Sequence, residues 1–196
     1  MRPEAKPILR KGDCLLAFDT SAAHCAAAVL LGERVVVRVE TMAKGQAERL
    51  VALLDEVLAE GGVGWGDLSA IAVGTGPGNF TGIRIAVSLA RGLALGLGVP
   101  AVGVTGFEAL GADLVVAIPA PRGQFYVKAP GTVAELVAVA PEGAARFGAV
   151  AVAEFVEAIA RVGRVKAATA QPRPAPFYLR AADAAPASDP PPVILP

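Results

Sequence analysis

Cys14-Leu-Leu-Ala-Phe18 is an apolar run that stops at the polar triplet Asp19-Thr20-Ser21. A second run, Ala26 to Leu31, turns at Gly32-Glu33 into a third, Arg34-Val-Val-Val-Arg-Val-Glu40. Three extended runs joined by links this short read as an antiparallel meander. The period then changes. Leu50, Val51, Leu54, Val57 and Leu58 recur at helical spacing with Glu48, Arg49, Asp55 and Glu56 between them, and Gly61-Gly62 supplies a stop. A short buried strand, Ala70 to Val73, leads through Gly74-Thr-Gly-Pro-Gly78 into a second helix from about Phe80 to Gly96, and Ala101 to Val104 forms one more strand. The order β-β-β-α-β-α-β predicts a mixed five-stranded sheet with helices packed on it, an α/β fold.

Beyond Gly111 the pattern thins. Leu114 to Ile118 and Gln124 to Val127 read as strands about the turn Pro121-Arg122-Gly123, and Val150 to Val162 as a helix with Val152, Phe155, Val156 and Ile159 on one face. Eight of the sixteen prolines lie from Gln171 onward, which excludes regular helix and predicts an extended or disordered tail. The expected division is an N-terminal extension (1–13), a first lobe (14–110), a reduced second lobe (111–170) and a proline-rich tail (171–196).

Hydrophobic residues make up 54% of the 196, charged ones 18% and aromatics 5%, with alanine and glycine prominent, so close backbone packing is favoured over a bulky aromatic core. The richest apolar stretch, Ile83 to Val104, contains Arg91 and several glycines, so no bilayer crossing is expected. Arg2, Lys6, Arg10 and Lys11 precede no apolar h-region, so a secretory signal is not expected either. Formal net charge is +0, with no concentrated basic face for phosphate contacts; independent binding to nucleic acid is not predicted. Cys14 and Cys25 read as small buried hydrophobes, with a disulfide across the first hairpin as the less supported alternative.

Two loops carry candidate chemistry. Gly74 to Gly82 joins a strand to a helix N-terminus, which can hold a phosphate with Gly76 and Gly78 at its turn and Arg84 adding charge. It lacks the lysine and hydroxyl placement of a Walker loop. The bland alternative is a tight turn using glycines for positive φ, with Asn79 or Thr81 as helix cap. Asp19, Thr20 and Ser21 would contact Mg²⁺ and phosphate in an actin-like ATPase, or serve as a polar hairpin turn. His24 is the only histidine, too few for a zinc hydrolase, so a metalloprotease is excluded and no metal site is expected.

Leu-Ala-Phe-Asp19-Thr-Ser, Ala-Glu48-Arg-Leu-Val, Gly74-Thr-Gly-Pro-Gly-Asn-Phe-Thr-Gly-Ile-Arg84, Ala-Arg91-Gly-Leu-Ala and Pro-Phe177-Tyr-Leu-Arg180 together resemble the TsaB (YeaZ) family. The resemblance implies an actin-like ATPase (ASKHA) fold with a ribonuclease-H-like first lobe and a reduced second lobe. It implies no catalysis by the chain itself. A TsaD-like subunit transfers threonylcarbamoyl to N6 of adenosine 37 of ANN-decoding tRNAs, a TsaE-like ATPase joins, and tRNA is met only through the complex. Pairing with the TsaD-like subunit, or with a second copy, would use the two first-lobe helices. Pattern alone reads the Leu50, Val51, Leu54 and Leu58 stripe more readily as core packing. On the resemblance, Glu48, Leu50, Val51, Leu54, Leu58, Phe80, Thr81, Ile83, Arg84 and Val87 would form the interface, and Leu54→Glu should abolish pairing while leaving a folded chain. A cytoplasmic location and at most weak ATP or ADP at or near the interface follow from the same resemblance. The sequence departs from the family pattern at Gln46, often histidine, and at Pro119-Ala-Pro-Arg122. The rival reading, a stand-alone ATP-binding phosphotransferase of the actin-like class, requires a second glycine-rich loop with its own aspartate, and none is visible between Gly111 and Val165.

Overall fold

A computed structural model describes residues 14–179; the N-terminal extension and the tail from Arg180 onward lie outside the described residues. Strands β1 (Cys14–Asp19), β2 (His24–Leu31) and β3 (Arg34–Thr41) form the expected meander, β1 pairing β2 and β2 pairing β3 antiparallel. Helix α1 (Gln46–Gly61) follows and ends at Gly62, whose φ of 76° is the left-handed value that favours glycine. Strand β4 (Ala70–Gly74), helix α2 (Phe80–Leu97) and strand β5 (Ala101–Val104) add two parallel pairings, β1 with β4 and β4 with β5. The sheet order is β3-β2-β1-β4-β5.

Alternation along the buried strands feeds two separate cores. Leu16, Phe18, Ala27, Val29, Ile71 and Val73 face α1 and α2. Leu15, Ala17, Ala26, Ala28, Ala70 and Ala72 face the opposite side, and their small side chains admit a helix at close range. That helix is α4 (Val152–Ala167). Phe155, Val156, Ile159 and Ala160 are buried there, and a Cβ at Gly163 would stand 2.4 Å from Ala72 Cβ. Side chains the size of Phe155, Val156 and Ile159 contribute roughly 1.5–3 kcal/mol each on burial.

The sequence division assigned this helix to the second lobe, whereas the structure packs it on the first sheet. Beyond the first sheet lie α3 (Gly106–Gly111) and a four-stranded sheet in the order β8-β7-β6-β9. Its strands are β6 (Val116–Pro119), β7 (Phe125–Lys128), β8 (Glu135–Val137) and β9 (Ala145–Arg146). Helix α3, β8 and β9 were not expected; strands of three and two residues leave no readable period.

Helix α2, with 18 residues and a mean hydropathy of 1.4, matches a bilayer crossing by length and composition alone, with Arg84 and Arg91 inside its span. Here its Ile83, Ala86, Val87 and Ala90 pack into the first core.

Candidate functional site

Asp19 closes β1 beside the end of β4 and is 1% exposed. Its Oδ2 accepts from the Ser21 N–H at 2.9 Å and the Ser21 hydroxyl at 2.8 Å, and lies 2.7 Å from His24 Nε2. Its Oδ1 has no partner among the described residues and lies against Gly74, where a Cβ would stand 1.9 Å away. The Thr20 hydroxyl donates to the Gly82 carbonyl at 2.7 Å, and the Asn79 N–H donates to the Ser21 carbonyl at 2.6 Å.

The two loops read as separate candidates are therefore bonded to each other. Glycines 78 and 82 are needed because a Cβ would stand 2.3 Å from the Ser21 carbonyl oxygen and 1.9 Å from that of Thr20. Close approach, not positive φ, explains three of the four; only Gly76, with φ of 93°, takes the left-handed value. Asn79 caps α2 by accepting from the Gly82 N–H at 2.9 Å.

This arrangement limits the available chemistry. Ser21 and His24 address the same carboxylate oxygen instead of each other, so the Ser–His couple required of a nucleophile and its base is not formed. Burial pushes the Cys14 and Cys25 thiols up to about 11, which keeps both protonated near neutrality. Among the described residues, no three His, Cys, Asp or Glu side chains converge as a metal site would require. A cavity of about 380 Å³ opens beside the loops between the two sheets, lined in part by Ser21, Gln46, Asn79, Pro121, Tyr126 and Phe147. Gly76 and Gly78 are spoken for by packing: Gly76 contributes its carbonyl to the Gly106 N–H at 2.8 Å.

The helices divide the expected interface residues into two groups. Leu50, Leu54, Leu58, Ile83 and Val87 are at most 3% exposed and belong to the chain's own core, so they cannot reach across an interface. Leu54→Glu would bury a carboxylate and tests folding instead. Glu48, Val51, Thr81 and Arg84 point outward, and Phe80 is half-buried. The outer face also presents Ala47, Ala52, Ser88, Gly92 and Leu95, the last 83% exposed. Leu95 was missed because one more leucine in an apolar helix has no distinguishing signal. Tyr178 was quoted only as part of a family string, yet its ring stacks on Phe80 at 4.6 Å and its hydroxyl accepts from Arg84 Nε at 3.0 Å.

A family model described as TsaD: tRNA N6-adenosine threonylcarbamoyltransferase matches residues 37–166. The tRNA threonylcarbamoyladenosine biosynthesis protein TsaB of Haemophilus influenzae is 37% identical over 97 residues, 49% of this chain and 41% of that protein. The TsaB of Escherichia coli is 35% identical over 91 residues, 46% and 39% of the two chains. The chain belongs to the TsaB/YeaZ family. It spans about two-fifths of the length of those two TsaB proteins. An uncharacterized protein of Mycobacterium tuberculosis, Rv3421c, is 34% identical over 204 residues, 88% of this chain and 94% of its own. YeaZ from Pseudomonas aeruginosa has the same fold, with a TM-score of 0.67 at 24% identity over 85% of this chain and 100% of that one. One segment of 65 residues is 49% identical to the tRNA N6-adenosine threonylcarbamoyltransferase of Cereibacter sphaeroides, though it covers only 18% of that enzyme. This TsaB/YeaZ chain thus shares sequence with the transferase as well as with TsaB proteins.

Proposed function

We propose that this chain is a non-catalytic subunit of tRNA threonylcarbamoyladenosine synthesis, acting by pairing with a TsaD-like catalytic subunit that a TsaE-like ATPase then joins. The observation that carries the reading is the outer face of α1 and α2. There Val51, 44% exposed, and Leu95 stand among alanine, serine and glycine, a surface thin enough for another helix pair to approach closely. A TsaD-like partner related through the matched residues 37–166 carries its own version of these helices, so the two can meet face to face in a near-two-fold arrangement. The same surface suits a second copy, with Glu48 on α1 set against Arg84 and Arg91 on an α2 that has no acidic residue. The bonding of the Asp19 loop to the glycine loop supports a role without turnover, because Thr20, Ser21 and one Asp19 carboxylate oxygen are engaged within the chain, while the other oxygen lies against Gly74. Any ATP or ADP is expected to bind weakly.

Size-exclusion chromatography with light scattering, on the chain alone and mixed with the TsaD-like protein, tests the pairing. A one-to-one complex is expected, and Val51→Glu should abolish it while leaving the circular dichroism unchanged. Unimpaired pairing by a folded Val51→Glu variant would remove this face as the contact.

A further inference from the structure

After α4 the chain runs back as an extended strap from Gln171 to Leu179 across the ends of β4 and β5. Pro174 is buried against Gly103, where a Cβ would stand 3.3 Å from Pro174 Cβ. The Phe177 N–H donates to the Thr75 carbonyl at 2.8 Å, and its ring meets Phe107 of α3 edge-on, centroids 6.2 Å apart. Pro172, Pro174 and Pro176 remove N–H donors from alternate positions, which discourages a further strand from pairing there. The strap thereby delivers Tyr178 to the first turn of α2.

At that turn three side chains order one another. Tyr178 and Phe80 stack at 27°, and the Arg84 guanidinium carbon lies 3.8 Å from the Phe80 ring centroid and 5.9 Å from that of Tyr178. Arg84 spends its Nε on the Tyr178 hydroxyl, while its two Nη groups have no partner among the described residues and Arg84 is exposed. Tyr178 is 39% exposed. An arginine held over an aromatic ring and bonded to a tyrosine hydroxyl has already lost much of the rotamer freedom that binding would remove, and its remaining donors form a fork suited to one carboxylate. Tyrosine and arginine are also the residue types that most often dominate the energy of an interface.

We propose that the strap completes the docking face, with Tyr178 and Arg84 forming a pre-ordered anchor that receives an acidic side chain of the TsaD-like subunit. This rests on the docking reading above. It adds that affinity depends on a tail segment remote in sequence from both helices.

The test is isothermal titration of the full-length chain with the TsaD-like protein, alongside circular dichroism and melting curves for each variant. Arg84→Ala and Tyr178→Ala should each weaken binding about tenfold or more. The double variant should be little weaker than the worse single, because either change dismantles the same unit. Tyr178→Phe keeps the stack and loses only the hydroxyl, so it should fall between wild type and Tyr178→Ala with an unchanged melting temperature. Wild-type affinity for Tyr178→Ala, with Val51→Glu abolishing binding, overturns the anchor and leaves the docking reading intact. Undiminished binding by Val51→Glu overturns the docking reading and the anchor with it. Additive losses, or an Arg84→Ala defect confined to self-association, also overturn the anchor as proposed.

Discussion

Asp19 combines a carboxylate oxygen that meets three donors with another that meets none, all inside a chain where the residue is 1% exposed. Removing it strands a buried histidine and hydroxyl, so Asp19→Ala should destabilise the fold by roughly 2–4 kcal/mol, read from the urea midpoint. A shift below about 0.5 kcal/mol would show that the cluster contributes nothing to stability. Two glycines of α2 separate close approach from helix propensity. At Gly82 an added Cβ meets the Thr20 backbone oxygen, and Gly82→Ala should cost about 1–3 kcal/mol or more. At Gly92 the space is open, and Gly92→Ala should stabilise the isolated chain by roughly 0.5–1 kcal/mol. If Gly82→Ala leaves the melting temperature unchanged or raises it, the packing account of Gly82 is wrong.

Elements were legible where their period was long. The meander, α1, β4, α2 and β5 fall within about two residues of their expected bounds, because alternation and helical spacing repeat several times in each. Periodicity reads the α1 stripe as core packing first, and it is the resemblance that recasts it as an interface. Leu50, Leu54, Ile83 and Val87 are apolar because they face the chain's own sheet, and the outer face that suits a partner is composed of small and mixed residues that form no stripe. The pairing of Asp19 with His24 was equally unreadable, since it depends on how the hairpin closes. The small helix α3 was also missed, although Thr105 and Glu108 stand three apart as a capping box requires. Burial acts to raise the Glu108 carboxyl, but Lys166 at 2.7 Å and the Thr105 N–H and hydroxyl outweigh it and hold the group below its ordinary range. The folded chain therefore holds fewer protons at this site than the unfolded chain in mild acid. Its stabilisation is complete above the ordinary carboxylate value and is lost as pH falls through the folded one. Glu108→Gln should lower stability near pH 7 by about 1 kcal/mol and flatten the decline below about pH 5, measured by denaturation at a series of pH values.

Across the whole molecule, the distribution of charge decides whether the chain meets tRNA directly. Lys and Arg number 18 and so do Asp and Glu, giving a formal net charge of +0. Many of the described cations are already committed: Arg49 to Glu40 and Glu56, Arg38 to Glu56 and Glu60, Arg161 and Arg164 to Glu33, Lys166 to Glu108. Arg84 and Arg91 remain on α2, on the face assigned to the protein partner, and Arg34, Lys44, Arg122, Lys128, Arg146 and Arg173 also form no salt bridge among the described residues. Binding to a polyanion gains its strength from several phosphate contacts that release counterions together, and cations scattered singly along the sequence supply no concentrated basic run for them. The isolated chain should therefore fail to retain tRNA in a filter-binding or mobility-shift assay at about 150 mM salt, with weak retention appearing only as salt is lowered. The complex with the TsaD-like subunit should retain tRNA under the same conditions, and folded Val51→Glu chain added in place of wild type should contribute nothing to that retention. Micromolar or tighter binding by the chain alone at that salt would place a nucleic-acid surface on this subunit and overturn the view that it acts only through its partner.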